Sequence, residues 1–199
     1  MDIRGIANLE TKLAQFPRLG LAQLPTPLQP LKRLSAFLEG PCVWVKRDDT
    51  TGLGFGGNKL RKLDYVLHAA MVARADTLVC ARLPLPPQRL GLECHLAVYH
   101  GRLASPTPDY ERSGNAMLNR LFGATLHDVP WTGDRNSAIQ ALGERLRAEG
   151  LRPYVVPYGV SSALGAVAYA TTALEIAEQS HALGFEPAAI VHSSGSAGT

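Results

Sequence analysis

The segment KRDDTTGLGFGGNKLRK (residues 46–62) predicts a strand, a glycine-rich loop and a helix in direct succession. Its first residue, Lys46, is the last residue of a short, mainly apolar run at 42–46 that predicts a strand. Asn58 is a residue type that caps helices, and the segment after it predicts a helix to about Ala73. The apolar face of that helix comprises Leu60, Leu63, Val66, Leu67 and Ala70. Glycines at 52, 54, 56 and 57 allow the loop backbone to approach a ligand closely at the helix start.

The rest of the chain alternates short β-branched runs with longer segments of helical period. This alternation is typical of βα units around a mainly parallel sheet, so the predicted fold class is α/β. Further strands are predicted at residues 77–81, 94–98, 124–129, 154–156 and 188–191. Further helices are predicted at residues 31–38, 113–121, 137–147 and 162–182, with stops at Gly40, Gly123, Gly150 and Gly184.

Two intervals do not fit this pattern. Neighbouring parallel strands need a crossover of about a dozen or more residues, usually helical, but residues 82–92 contain Pro84, Pro86 and Pro87 and cannot form a regular helix. Either the strands on each side are not parallel neighbours, or a helix that similar folds carry is lost or replaced here. The predicted strand at 188–191 leads only into a short Ser/Gly loop, so we expect a fragment or a chain that relies on a partner.

Composition and charge exclude several classes of function. The 199 residues carry 20 Lys+Arg against 17 Asp+Glu, a net charge of +3, and 46% are hydrophobic, which is ordinary for a globular protein. The sequence has neither a run of like charges nor a basic stripe with aromatics, so nucleic-acid binding is not predicted. No apolar segment reaches the roughly 20 residues that span a bilayer, and the first ten residues lack the apolar core of a secretory signal.

Neither the cysteines nor the histidines predict a disulfide or a metal site. Cys42, Cys80 and Cys94 are odd in number and far apart in sequence, so each is predicted to line the core in a reducing cytoplasm. The six histidines lack metal-ligand spacing and are predicted to lie on the surface or as satisfied core residues. They are His68, His95, His100, His127, His181 and His192.

Lys59 is the strongest candidate for chemistry in the glycine loop. It lies near Arg61 and Lys62 at a predicted helix start, where neighbouring cations, the helix N-terminus and partial burial favour the uncharged amine that a Schiff-base lysine needs. The alternative interpretation is a solvated basic helix start. Asp48 and Asp49 are candidates for a carboxylate pair, but adjacent residues in such a turn more often make local ion pairs and caps.

Several motifs of this chain occur together in one known family. They are LPTPL at 24–28, VKRDD at 45–49, TGL at 51–53, GGNK at 56–59, RKL at 61–63, GLEC at 91–94, GN at 114–115, LFGA at 121–124 and RPYV at 152–155. With them the chain resembles the D-cysteine desulfhydrase and 1-aminocyclopropane-1-carboxylate deaminase family, whose members depend on pyridoxal phosphate. The resemblance implies the tryptophan-synthase-β-like fold, a three-layer parallel-sheet α/β fold, with the large domain incomplete. It implies an N-terminal part of the large domain at 1–50, a small α/β domain at 51–157 and the start of the C-terminal part at 158–199.

The resemblance also assigns roles to individual residues. It implies that Lys59 holds pyridoxal 5'-phosphate covalently and moves the substrate α-proton, and that Asn58 and Lys62 support the cofactor. It implies a phosphate cradle in a Gly/Ser-rich loop made of Ser194, Gly195, Ser196, Ala197, Gly198 and Thr199.

By the same resemblance the substrate is a small amino acid, and the leading function is β-elimination of D-cysteine to pyruvate, sulfide and ammonia. Deamination of 1-aminocyclopropane-1-carboxylate and elimination of sulfite from cysteate stay open. One departure motivates an alternative: the family carries a Ser-Asn-His type segment where residues 82–90 read RLPLPPQRL. The alternative is a catalytically impaired or inactive truncated homologue that at most binds the cofactor or oligomerises, and a local frame error would produce the same segment. We expect a cytoplasmic homodimer.

Overall fold

The structure is a computed structural model that describes residues 3–54, 56–81, 90–100, 109, 112–131 and 133–195, with residues 3–7 described by their backbone alone. The chain divides into two compact units. One comprises the described residues of Met1–Tyr65 and Ala163–Ala197, and the other comprises those of Val66–Ser162. Within these described ranges, none of the helices has the length and apolar character needed to cross a membrane.

Helices and strands alternate along most of the chain. In order they are α1 (Ile3–Leu13), β1 (Leu28–Pro30), α2 (Lys32–Leu38), β2 (Trp44–Lys46), α3 (Asn58–Val72), β3 (Thr77–Cys80), β4 (Glu93–His100), α4 (Gly114–Leu121), β5 (Thr125–Pro130), α5 (Ser137–Ala148), β6 (Pro153–Val155) and α6 (Ala163–Ala182). The predicted apolar face of α3 is confirmed, since its five members are all buried: Leu60, Leu63, Val66, Leu67 and Ala70.

The first unit contains a two-stranded antiparallel sheet in which β1 pairs with β2 and Leu28 lies opposite Lys46. The helix predicted at 31–38 and the strand predicted at 42–46 are confirmed as α2 and β2. One detail of the helix end is wrong: Glu39, and not Gly40, has the left-handed backbone after α2, with φ 47°. The helix itself ends at Leu38 as predicted, and the Glu39 N–H donates to the Ala36 oxygen at 3.3 Å. The sequence patterns predicted neither α1 nor β1.

The second unit contains a four-stranded parallel sheet in the order β5-β4-β3-β6. Helix α5 packs against β3, β4 and β6. Gly143 allows this close approach, since a Cβ at that position would lie 2.5 Å from Val155 Cγ2. The predicted strands and helices of this unit are confirmed to within two residues at each end. Buried residues of the strands and of α5 form its core: Val79, Ala81, Ala97, Ile139, Leu142 and Leu146.

The proline-containing connection joins two strands that are parallel neighbours. β3 pairs directly with β4, and Thr77 lies opposite Glu93. The first of the two sequence alternatives, in which these strands are not neighbours, is therefore wrong. Residues 82–89 of the connection lie outside the described residues. The alternative that remains is a crossover helix that has been lost or replaced.

Residues 188–191 do not form the predicted buried strand. They lie in irregular backbone, and the side chains of Ile190 and Val191 are 63% and 94% exposed. A strand needs a neighbour that pairs with its backbone N–H and C=O groups. None of the described strands pairs with this segment. Its apolar sequence alone is therefore insufficient to form a strand here.

The cysteines divide between core and surface. Cys80 and Cys94 are buried, as predicted. A hydrogen bond with the Cys94 thiol, together with burial, raises the pKa of the Cys80 thiol well above its ordinary value. Cys42 is exposed, so the prediction that it lines the core is wrong. It lies in the irregular segment between α2 and β2.

A chain of hydrogen bonds runs from Arg145 to Glu93 in the second unit. Arg145 Nη2 lies 2.7 Å from His127 Nδ1, and His127 Nε2 lies 2.9 Å from His95 Nδ1. His95 Nε2 in turn lies 3.4 Å from Glu93 Oε2. Because a guanidinium only donates, His127 Nδ1 accepts, and its imidazole is neutral with the proton on Nε2. Burial, and after it the charges of His95 and Arg145, lower the pKa of His127.

We expect the stability of the second unit to fall as the pH drops below about 6.5, the ordinary pKa of histidine. The unfolded chain then takes up a proton at a pH where folded His127 stays neutral, so the free energy of unfolding decreases from there toward the lowered pKa. His127→Gln removes the titrating group and should flatten this part of the profile. Urea unfolding between about pH 5 and pH 8 measures it. An unchanged slope in H127Q would contradict this assignment.

Candidate active site

The loop between β2 and α3 begins with one turn of 3-10 helix, Asp48–Thr50, and ends on two glycines. Gly56 has φ 67°, and a Cβ there would lie 2.1 Å from the backbone oxygen of Asp49. No side chain fits without moving the backbone, so glycine is required at position 56. Gly57 has φ 99°, and its Cβ position lies in open space with no heavy atom of the described residues within 4 Å.

Hydrogen bonds fold the end of this loop back onto the 3-10 turn. The Gly57 N–H donates to the Asp48 oxygen at 2.9 Å. The hydroxyl of buried Thr51 donates to the Gly57 oxygen at 3.1 Å. The Leu60 N–H also donates to that oxygen, at 3.2 Å. The start of α3 is therefore held against the turn at Asp48.

Lys59 is the second residue of α3 and is half-buried. Among the described residues its amine has no hydrogen-bond or ion-pair partner, whereas the nearby Lys46 and Arg61 are both paired with carboxylates. Asn58 is the first helical residue and not the cap before it, because Gly57 takes that position and accepts the first helical hydrogen bond. The Lys59 amine is thus available to react with a carbonyl group.

Lys62 lies one turn after Lys59 and is only 1% exposed. Its Nζ lies 5.5 Å from the centre of the Tyr169 ring, a cation–π contact. Burial, and after it the charge of Lys59, lower the pKa of Lys62. Residues three apart on a helix are neighbours, so the two lysines share one face of α3.

A buried cluster of two cations and two carboxylates lies beside the first turn of α3. The fully buried Arg61 side chain contacts Asp48 Oδ1 at 2.9 Å and donates to Glu175 Oε1 and Oε2, each at 2.8 Å. Lys46 Nζ lies 2.6 Å from Glu175 Oε2. Burial opposes ionisation of Glu175, but hydrogen bonds from Arg61 and Lys46 outweigh it and lower the pKa of that carboxyl. The charges of the cluster balance, as buried ions require.

Thr26 connects this cluster to the segment before β1. Its hydroxyl accepts from Arg61 Nη2 at 2.8 Å and donates to Asp48 Oδ1 at 3.0 Å. Its backbone oxygen accepts from Lys46 Nζ at 2.7 Å and from Gln179 Nε2 at 3.0 Å. With Thr26 only 1% exposed, the cluster is closed to solvent on this side.

The sequence interpretation of the two adjacent aspartates is right for one and wrong for the other. Asp49 makes a local ion pair with Arg47 at 2.7 Å, as predicted. Asp48 instead pairs with Arg61 on α3. Sequence analysis also missed the parts of Thr26 and Glu175. Glu175 interrupts an otherwise apolar helical segment, and this interruption is the signal that indicates a buried ion pair.

Ser194 and Gly195 are the described part of the predicted phosphate cradle. Both are exposed and lie in irregular backbone after α6, in the same unit as Lys59. The rest of that loop lies outside the described residues: Ser196, Ala197, Gly198 and Thr199. The cradle therefore stays a prediction.

The chain is similar in sequence to enzymes that depend on pyridoxal phosphate. A family model described as "Pyridoxal-phosphate dependent enzyme" matches residues 88–199. The chain belongs to this family. It is 43% identical over 201 residues to D-cysteine desulfhydrase of Serratia proteamaculans (strain 568), a match that covers 96% of this chain and 60% of that protein. It is 40% identical over 197 residues to D-cysteine desulfhydrase of Salmonella choleraesuis (strain SC-B67), with 94% and 59% covered. The chain thus spans about six tenths of the length of these curated relatives.

Solved structures of relatives share the fold. The crystal structure of an ACC deaminase homologue matches with a TM-score of 0.73 and 32% identity, covering 90% of this chain and 55% of that one. A diaminopropionate ammonia lyase of Escherichia coli matches with a TM-score of 0.60 and 16% identity over 92% of this chain and 51% of that one, which shows the fold alone. The predicted family and α/β fold are confirmed, and so is pyridoxal phosphate as the cofactor of the family.

The described residues around Lys59 fit pyridoxal phosphate. The aldehyde of this cofactor requires an amine, and Lys59 has no carboxylate partner among the described residues. Its phosphate requires positive charge, which Lys62 and the N-terminus of α3 would supply. Gly57 keeps side-chain atoms out of the space beside Lys59. These residues would hold the cofactor.

Proposed function

We propose that the protein is a lyase that uses pyridoxal phosphate to eliminate the β-substituent of a small amino acid, with D-cysteine as the leading substrate. The observation that carries the proposal is the amine of Lys59, which has no described partner beside a cluster in which Lys46 and Arg61 are both neutralised. The 43% identical relative bears the name of this activity, which supports the substrate. D-cysteine and water would give pyruvate, ammonia and hydrogen sulfide.

The residues of the proposed site have three roles: they transfer a proton, they provide positive charge for the cofactor, and they hold the start of α3 in place. When bound, the cofactor withdraws electrons from the substrate Cα and makes the α-hydrogen acidic. Lys59 Nζ, in its neutral form, takes that proton. Lys62 contributes a buried positive charge next to an anionic cofactor. Thr51 and Asp48 hold the start of α3, so that Lys59 keeps its place during the proton transfer.

Deamination of 1-aminocyclopropane-1-carboxylate is the second candidate, because an ACC deaminase homologue shares the fold at 32% identity. It would use the same lysine but release ammonia and a four-carbon 2-oxo acid, without sulfide. Elimination from cysteate would release sulfite instead. The products therefore distinguish the three substrates. The cytoplasmic homodimer stays a prediction from the sequence.

The test adds pyridoxal phosphate to the purified 199-residue chain. Borohydride reduction followed by peptide mass analysis should place one cofactor on Lys59, and D-cysteine should then release sulfide and pyruvate in equal amounts. Cofactor on Lys59 without product from any of the three substrates would support the alternative, an inactive homologue that still binds the cofactor. No cofactor on Lys59 would contradict the proposed lyase and leave the inactive homologue that does not bind the cofactor.

A further inference from the structure

We propose that Asp48 is the positioning residue for Lys59, because it is hydrogen-bonded to the backbone before that lysine and to a side chain after it; this inference rests on the function proposed for Lys59. The Asp48 backbone oxygen accepts from the N–H of Gly57, two residues before Lys59. The Asp48 carboxylate accepts from Arg61 Nε at 2.9 Å, two residues after Lys59. One residue thus fixes where the first turn of α3 begins and how it is rotated.

Asp48 acts on Lys59 without touching it. Successive residues of an α-helix are about 100° apart, so Arg61 projects about 200° around α3 from Lys59. The exposed fractions agree with this placement on opposite sides of α3, since Arg61 is 1% exposed and Lys59 is half-buried. The carboxylate therefore holds the opposite side of the helix and leaves the amine free of any charged partner among the described residues.

The same carboxylate reaches the second lysine through Tyr169. The Tyr169 hydroxyl donates to Asp48 Oδ2 at 3.2 Å, and the Tyr169 ring faces Lys62 Nζ. The two oxygens of Asp48 therefore fix Arg61 on one side and the aromatic neighbour of Lys62 on the other. Because a misplacement of about 1 Å in a reacting group costs up to about 100-fold in rate, such a fixed helix start has a direct consequence for chemistry.

The adjacent Asp49 provides a matched control. Its carboxylate is 62% exposed and pairs with Arg47, whereas the Asp48 side chain is 20% exposed and lies in the buried cluster. Asp48→Asn and Asp49→Asn make the same chemical change one residue apart. They differ in whether the carboxylate is connected to α3.

The experiment measures the two variants with and without cofactor. In the cofactor-free chain, hydrogen exchange of peptides covering residues 56–62 should be at least about ten-fold faster in D48N than in wild type, and unchanged within about two-fold in D49N. The dissociation constant for pyridoxal phosphate bound at Lys59 should rise at least about ten-fold in D48N only. Both are measured well below the melting temperature of each variant, so that all chains are folded.

Several outcomes decide the proposal. A lower melting temperature in D48N with wild-type exchange at 56–62 and a wild-type dissociation constant would overturn it, since Asp48 would then be merely structural. If D48N does not fold, Tyr169→Phe removes only the hydroxyl on Oδ2, and it should still raise the dissociation constant about two- to five-fold; no change would overturn the proposal. If wild type takes no cofactor at Lys59, the proposed function fails, while the exchange comparison still tests whether Asp48 holds the helix start.

Discussion

Lys59→Ala should abolish covalent attachment of pyridoxal phosphate to the chain. The substitution removes the amine itself, so no weaker residual reaction at this position is expected. Other lysines near the loop do not replace it: Lys46 is held by Glu175 at 2.6 Å, and Lys62 is 1% exposed. The measurement is the mass of the borohydride-reduced chain, together with loss of the cofactor absorbance that depends on the lysine.

The fold should survive this change. Lys59 is half-buried and has no ion-pair partner among the described residues, so K59A should change the free energy of unfolding by less than about 0.5 kcal/mol. Lys32→Ala, at an exposed position of α2, is the matched control and should keep the full cofactor adduct. A reduced adduct of wild-type yield in K59A would mean that another lysine carries the cofactor.

The segment around Lys59 was predictable because its signals are local. The strand β2, the glycines and the start of α3 follow one another within residues 42–60, and each has its own residue preference. The requirement for Gly56 is an example: its positive φ suits glycine, and the structure adds the contact with the Asp49 oxygen. Local preference and packing agree at Gly56, so the predicted need for a glycine backbone in this loop is confirmed there.

Predictions failed where the outcome depends on a distant partner. Residues 188–191 have the apolar pattern of a strand, but a strand forms only beside another strand, and none of the described strands pairs with them. The reverse holds for β1: residues 28–30, which follow Pro25 and Pro27 and end on Pro30, give no strand signal, yet β2 pairs with them. Register and pairing are properties of the sheet and not of the segment.

In the site, too, local features were predicted and contacts between residues distant in sequence were not. Lys59 was identified from a family motif made of residues next to it in sequence. The cluster that supports it, in contrast, joins Arg61 to Glu175, which is 114 residues away in sequence. Asp48 was misinterpreted for this reason, since its nearest cation in sequence is Arg47 while its actual partner is Arg61. A buried ion pair between distant helices leaves only a weak trace in each sequence segment, here one glutamate in an apolar run.

Arg61→Met should destabilise the first unit by about 3–5 kcal/mol, the cost of removing one partner from a buried ion pair. The side chain of Arg61 is fully buried, and those of Asp48 and Glu175 are 20% and 12% exposed, so the carboxylates left behind cannot recover much hydration. Urea unfolding measures the loss. Trp44, which stacks on Phe185 in the first unit, reports on that unit in a Trp131→Phe background.

The matched control is Arg147→Met on α5, where an exposed arginine pairs with Glu144 at 2.8 Å. Exposed pairs contribute about 0–1 kcal/mol, so this variant should be almost neutral. Adding Glu175→Gln to R61M tests the cause of the loss, because it removes one of the carboxylates that R61M leaves without its guanidinium. The two substitutions should then be non-additive by about 0.5–3 kcal/mol. Strict additivity would mean that Arg61 stabilises the unit through the packing of its aliphatic chain and not through its charge.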